Sequence, residues 1–302
     1  MQMTDFNKRF DGYVALINEA ADRYVSEKAF SGRESTGLSE MLGAMAYSLK
    51  NGGKRIRPML TLEFCRLCGG DYEKAIPFAL GAEMIHTYSL IHDDLPCMDN
   101  DDMRRGKPSN HKVFGYANAL LAGDALLTLA FETVLSAEGV SAEAKAKAGL
   151  ELAKAAGCSG MIAGQVMDLA NEGRSAPLED VRKTDRLKTG EMIKVSCVMG
   201  CIAADADEEK IKAAEIYSEN IGLAFQIVDD ILDVTSDEET LGKPIGSDAE
   251  NQKSTYVSLL GLEKSAEYAE ELTDTAKNAL KIFGDEGDFL IRLADMLASR
   301  KN

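Results

Sequence analysis

The sequence predicts an all-α protein, and three observations carry that expectation. Its 302 residues contain only six prolines, Pro58, Pro77, Pro96, Pro108, Pro177 and Pro244, with Pro-free segments tens of residues long between them. Those segments are rich in Ala, Leu, Glu, Lys and Met, side chains that lose little freedom in a helix. Sustained period-2 alternation, the mark of a half-buried strand, is nearly absent. The expected architecture is a single domain over residues 1–302, a bundle of about ten to twelve helices.

Breaks between helices are expected at 30–37, 69–72, 101–110, 172–177 and 235–252. The segments 78–92, 117–135 and 214–232 are apolar on most faces, which assigns them to the middle of the bundle. The most apolar of them, 117–135, is interrupted by Asp124 and Glu132, so no membrane span and no stable membrane insertion are expected. The N-terminus, MQMTDFNKRF, has no apolar signal core, and the expected location is cytoplasmic.

Hydrophobic residues make up 45% and charged residues 28% of the chain, a balance that excludes wholesale disorder. The formal charge of −16 repels nucleic acid and anionic membranes, so neither is an expected partner. It repels phosphorylated small molecules as well, and a site for those would need cations gathered locally. Six cysteines are present; Cys65 and Cys68 have C-x-x-C spacing, and Cys197 and Cys201 lie one helical turn apart. These four could ligate zinc, but buried helical thiols are the expected state, because cysteine is among the most buried residue types.

Two acidic motifs follow apolar helices. The first is Asp93-Asp94-Leu95-Pro96-Cys97-Met98-Asp99, and the second is Asp229-Asp230-Ile231-Leu232-Asp233. Asp229 and Asp233 are i and i+4, so their carboxylates share a helix face and repel each other. A divalent cation relieves that repulsion, and oxygen-only ligands favour Mg²⁺ over zinc. Asp93 and Asp99 are six residues apart and would point to different faces of a straight helix. Pro96 between them cannot donate to the His92 carbonyl and should end the helix, which could return Asp99 toward the same metal.

A basic motif, Gly52-Gly53-Lys54-Arg55-Ile56-Arg57-Pro58, combines two glycines with three cations. Backbone amides and Lys and Arg donors in this pattern suit a diphosphate. Arg104 and Arg105 add two forks just past the first acidic motif, and Lys188, Lys243 and Lys253 are further candidate cations. Together these blocks, with HTYSLIHDDLPCMDNDDMRRGKP at 86–108, GQVMDL at 164–169, KTG at 188–190, FQIVDDILD at 225–233 and GK at 242–243, resemble the trans-prenyltransferases, the farnesyl and geranylgeranyl diphosphate synthase family. The resemblance runs from Gly52 to Tyr256.

That resemblance implies a helical bundle of the isoprenoid synthase type around a deep central cavity, usually in a homodimer. It implies about three Mg²⁺ ions, with Mn²⁺ as a substitute, held between the two acidic motifs. Position by position, Asp93, Asp99, Asp229 and Asp233 would ligate metal, with Asp94 and Asp230 in support. Lys54, Arg57, His86 and Arg105 would bind isopentenyl diphosphate. Arg104, Lys188, Thr189, Gln226, Lys243 and Lys253 would hold the allylic diphosphate. The catalytic set is then Asp93, Asp94, Asp99, Arg104, Lys188, Asp229, Asp230 and Lys243. Two departures from the family pattern stand out: Gln252 and Val257 flank the late Lys253-to-Tyr256 block where many relatives have Gly and Pro, and Asn100 replaces an Asp common in bacterial relatives.

The implied reaction ionises an allylic diphosphate, adds the double bond of isopentenyl diphosphate and loses a proton. It needs no Ser-His or Cys-His nucleophile, so His86 is read as a binding group and His92 as a packed histidine. A terpene cyclase would lack the GGKRIRP block. A non-catalytic synthase subunit, which Cys197/Cys201 brings to mind, would typically have lost an acidic motif. Product length turns on the helix before Asp93: at 1.5 Å per residue, Tyr88 and Ser89 lie about 6–7.5 Å deeper. Geometry alone aligns Ser89 with Asp93. The family pattern selects Tyr88, an aromatic typical of bacterial farnesyl diphosphate synthases, so farnesyl diphosphate is the expected product, with geranylgeranyl diphosphate as the alternative.

Overall fold

The structure, a computed structural model, describes residues 2–32, 35–171, 173–235 and 254–299. Among these it contains α1 (Gln2–Tyr24), α2 (Leu38–Leu49), α3 (Ile56–Leu67), α4 (Ile76–Asp93), α5 (Asn110–Phe114), α6 (Tyr116–Leu135) and α7 (Ala142–Ala156). The chain continues through α8 (Met161–Asn171), α9 (Leu178–Asp185), α10 (Glu191–Ala203), α11 (Glu208–Thr235), α12 (Tyr256–Leu260), α13 (Leu262–Ala279) and α14 (Asp288–Ala298). A π-turn, Arg186–Gly190, joins α9 to α10. The all-α expectation holds, and the three long apolar segments fall inside α4, α6 and α11.

One element departs from it. Where a plain loop was expected at 101–110, β1 (Met103–Arg104) and β2 (Lys107–Pro108) pair antiparallel. Arg105 and Gly106 both have positive φ, +53° and +75°, the backbone of a type I′ turn. The usual Asn-Gly signal is missing because arginine fills the first turn position.

α4 and α10 form the centre. α4 packs against α1, α2, α3, α6 and α10, and α10 against α3, α4, α7 and α11. Nearly every α4 residue from Pro77 to Ile91 is buried. α10 and α3 approach closely at Gly200: a Cβ there would overlap the Thr61 carbonyl oxygen and stand 3.0 Å from the Cys65 backbone nitrogen. α11 lies against α10 on one side and α13 on the other.

α6 is less central than its composition suggests. Its inner face packs on α4 and α2, yet Tyr116, Leu120, Leu121 and Leu135 are exposed. By length and composition it is the one helix among the described residues apolar enough to cross a membrane, and 44% of its apolar window is buried. The apolar pattern ran all round the helix, but the core covers only one side. The cysteines follow the buried-thiol expectation at Cys65, Cys197 and Cys201, with Cys68 half-buried. All are free, and Cys68 Sγ stands 3.7 Å from Cys201 Sγ. Among the described residues no three His, Cys, Asp or Glu side chains converge as a metal site, neither at the cysteines nor between the two acidic motifs.

Gly200 sets the α3–α10 distance with backbone atoms that have no rotamer to retreat into. Gly200→Ala should therefore destabilise the chain by about 1–3 kcal/mol, as overpacked cores do. Chemical denaturation measures this, and an unchanged midpoint would show that the two helices are free to separate.

Candidate active site

The first acidic motif folds as the proline requires. α4 ends at Asp93, and the Leu95 amide takes the His92 carbonyl at 3.1 Å. The chain then doubles back: the Asp99 amide donates to the Asp93 carbonyl at 2.8 Å and the Asn100 amide to that of Leu95 at 3.2 Å. Asn100 sits at φ +55°, a conformation asparagine tolerates well. Asp99 is thereby returned to Asp93 despite the six-residue spacing. Asp94 is buried and engaged, accepting from Arg104 Nε at 2.8 Å and from its Nη2. His92 is a packed residue, its Nε2 3.0 Å from the Leu120 carbonyl.

Burial pushes the Asp93 carboxyl up to about 6; Lys188 and Arg104 pull it down, while Asp99 and Asp94 push it further up. Lys188 acts on Asp93 from the π-turn, where the Glu191 amide bonds the Arg186 carbonyl five residues back. Such single π-turns insert one residue and often mark functional positions. The Lys188 ammonium is also 2.7 Å from Asp168 Oδ2. Asp168 lies inside the GQVMDL block but received no role from the sequence. Thr189, in the same turn, is half-buried.

The second motif occupies the last two turns of α11. Asp233 is buried, Asp229 and Asp230 are half-buried, and all three interact with neighbouring groups. Asp230 Oδ2 accepts the Tyr256 amide at 2.7 Å, tying α12 to the acidic end of α11. Gln226 is half-buried one turn earlier. The π-turn rests on this helix at Gly222, two turns before Asp229. Lys243 and Lys253 lie outside the described residues.

The basic motif splits by function. Arg55 is buried and paired with Glu83 at 2.7 Å. Lys54 is exposed beside the glycines. Arg57, in the first turn of α3, has a buried Nε with no hydrogen-bond partner. Burial and the nearby Arg105 lower its guanidinium against the raising effect of Glu83. His86 joins it: burial first, then Arg57, Arg105, Arg104 and Arg55 hold its imidazole well below the usual histidine range. Arg105 donates to the Gly52 carbonyl at 2.9 Å. A Cβ on Gly53 would meet the Arg105 guanidinium at 2.6–2.9 Å, so that glycine admits the arginine. Arg105 thus lies close enough to depress Arg57, and both help to keep His86 neutral, while Lys54 stands exposed near the start of the motif.

Further along α4, Tyr88 is buried, packs edge-on against His92 with ring centroids 5.6 Å apart, and has an unpartnered hydroxyl. Burial, then Asp93, push that phenol up to about 12. Ser89 bonds back to the His86 carbonyl at 2.9 Å.

The carboxylates fit a hard cation by chemistry. Asp93 is raised by burial and by its acidic neighbours, the strain that a positive ion at its oxygens would relieve. The chain matches the polyprenyl synthetase family model over residues 39–283. It is 46% identical over 301 residues to the chloroplastic geranylgeranyl pyrophosphate synthase of Catharanthus roseus, covering 99% of this chain and 82% of that one. It is equally 46% identical over 259 residues to farnesyl diphosphate synthase of Bacillus subtilis, covering 85% and 88%. Among solved structures, an FPP/GFPP synthase from Zymomonas mobilis superposes with a TM-score of 0.84 at 35% identity over 98% of this chain and 99% of that one. A geranyltransferase from Legionella pneumophila gives 0.85 at 32% identity over the full length of both. The chain belongs to the polyprenyl synthetase family and is a prenyltransferase.

Because the folded chain holds a proton on Asp93 more tightly than the unfolded chain does, the ionised carboxylate costs stability. That cost is fully present above about pH 6 and fades as pH falls toward the unfolded value near 4. Metal-free Asp93→Asn should accordingly unfold at higher denaturant than the unmodified chain at pH 8, and the gap should close by about pH 4. A gap that is absent at pH 8, or that widens on acidification, would contradict the burial of this carboxylate.

Proposed function

We propose that residues 1–302 form one prenyl diphosphate synthase domain that condenses isopentenyl diphosphate head to tail with dimethylallyl and geranyl diphosphates to give farnesyl diphosphate. The observation that carries this reading is the separation of two charge environments along α4: the cations Arg57 and Arg105 around neutral His86 at one place, and the acidic motif of Asp93 and Asp99 at its end. A condensation of two diphosphates needs two such anion sites, one of them able to discharge diphosphate.

The cluster of Lys54, Arg57, His86 and Arg105 binds isopentenyl diphosphate. Neutral His86 donates one hydrogen bond there, and the unpartnered Arg57 Nε offers another. Lys188, Thr189, Gln226 and Arg104, with Lys243 and Lys253, hold the allylic diphosphate. Asp93, Asp99, Asp229 and Asp233 hold Mg²⁺, while Asp94 and Asp230 fix the scaffold through Arg104 and the Tyr256 amide. When bound, Mg²⁺ would neutralise charge on the departing diphosphate. Lys188 leaves Asp168 or shares it to meet the same charge. Apolar walls from α4 exclude water from the allylic cation that forms as the C–O bond breaks. The double bond of isopentenyl diphosphate then attacks, and the proton lost passes to the released diphosphate.

Tyr88 supports a farnesyl product: a large, buried ring on α4 beneath Asp93 closes the path of the growing tail. The second reading, geranylgeranyl diphosphate, rests on the Catharanthus relative, as similar to this chain as the Bacillus one. The exposed apolar row on α6, Tyr116, Leu120 and Leu121, supports a homodimer that covers it. We place the protein in the cytoplasm, without stable membrane insertion and without nucleic acid as a partner.

The purified chain should form farnesyl diphosphate only with Mg²⁺ or Mn²⁺. Asp229→Ala should cut kcat at least about a hundredfold with the helical circular dichroism unchanged. Full turnover in excess chelator would exclude the metal. For product length, chromatography of dephosphorylated products should show Tyr88→Ala shifting from farnesyl toward geranylgeranyl or longer chains, and Ser89→Phe shifting toward geranyl. A soluble, active Tyr88→Ala enzyme with an unchanged product would place the floor of the cavity on another helix.

A further inference from the structure

Arg104 and Arg105 ride on a hairpin that has little of its own to hold it. Each strand is two residues long, and most of its residues are exposed. An isolated two-stranded hairpin is marginal in water, so the place of its arginines must be set from outside. Arg105 also occupies a left-handed backbone position, one that a non-glycine residue keeps only when its surroundings enforce it.

The enforcement comes from the C-terminal end of α2. Asn51, 6% exposed, donates from Nδ2 to the Arg104 carbonyl at 3.0 Å. Tyr47, one turn earlier, donates its hydroxyl to the Pro108 carbonyl on the other strand at 2.8 Å. The backbone carbonyls of Asn51 and Gly52 then accept from Arg105 Nη1 at 3.5 and 2.9 Å. Asn51 therefore meets the hairpin twice, with its side chain at the peptide that joins the two arginines and with its backbone carbonyl at the guanidinium of the first turn residue.

We propose that Asn51 is a positioning residue for Arg105 and, through it, for the isopentenyl diphosphate site, with Tyr47 as its counterpart on the second strand. This rests on the functional reading above. The two arginines do not depend on it equally. Arg104 keeps its two bonds to Asp94 when the amide is lost. Arg105 reaches only backbone carbonyls of the segment that Asn51 itself anchors. Loss of the amide therefore displaces Arg105 more than Arg104, and the isopentenyl site more than the allylic one.

In the full chain with Mg²⁺, Asn51→Ala should raise both KM and calorimetric Kd for isopentenyl diphosphate about tenfold, the worth of one buried hydrogen bond. KM for geranyl diphosphate and kcat should stay within about twofold. Asn51→Gln, which keeps the amide donor, should recover most of the loss. In an Arg105→Ala background Asn51→Ala should add nothing, because the group it positions is gone. Additive effects in that background, or equal losses for both substrates, would reduce Asn51 to a packing residue and overturn the proposal. If Asn51→Ala does not fold, Tyr47→Phe decides, since it removes a single hydroxyl: a several-fold rise in the same Kd supports the proposal, and an unchanged Kd overturns it. An unmodified chain that binds isopentenyl diphosphate without turning it over would sink the functional reading alone, and the Kd comparison would still judge Asn51. A chain that does not bind it would sink both.

Discussion

One guanidinium holds the functional end of the bundle together. Arg55, at the start of α3, donates to Glu83 of α4 at 2.7 Å, to the Leu49 carbonyl of α2 at 2.6 Å and to Asn18 of α1 at 3.1 and 3.2 Å. Both charges are buried, Arg55 at 4% and Glu83 at 2% exposure. A buried pair contributes little net stability, but removing one partner strands the other charge at a cost of about 3–5 kcal/mol. Four helices are thus bound to one arrangement. Arg57 follows two residues after Arg55, and His86 lies one turn beyond Glu83 on the same side of α4. The anion-binding cluster inherits its geometry from the pair, and Arg55 keeps φ +52° while its side chain makes four hydrogen bonds to three acceptors.

Much of this was legible in the sequence. The Asp-Asp motifs ending apolar helices and the proline that returns Asp99 to Asp93 follow from residue type and spacing, while the grouping of Arg57, His86 and Arg105 was implied only by the family resemblance. What did not follow is which cation does which work. Lys54, Arg55 and Arg57 look alike in a string, and only the fold buries Arg55 against Glu83. A signal was present: Glu83 is the lone acid inside the apolar run IPFALGAEMIH, and a charge there demands a partner. Asp168 carried a weaker signal, since its partner Lys188 is twenty residues away and meets it through the π-turn. Asn51 carried none, because its partner is a backbone carbonyl and main-chain acceptors have no sequence signature.

Groups of the site are tied to the surrounding scaffold. Arg104 rests on Asp94 and Lys188 on Asp168, while Asp230 holds the start of α12. Every one of these contacts pairs a group of the proposed chemistry with a group that shapes the scaffold.

The positive cluster is set into a chain whose formal charge is −16, and this has a kinetic consequence. At distances beyond roughly 10 Å a free diphosphate meets the repulsion of the whole surface; only closer in do Arg57 and Arg105 dominate. Salt screens the long-range term and leaves the recessed contacts largely intact. Encounter with anionic substrates is then quickened by moderate ionic strength, the reverse of what a basic binding protein shows, and neutralisation of the diphosphate by a divalent ion in solution works in the same direction.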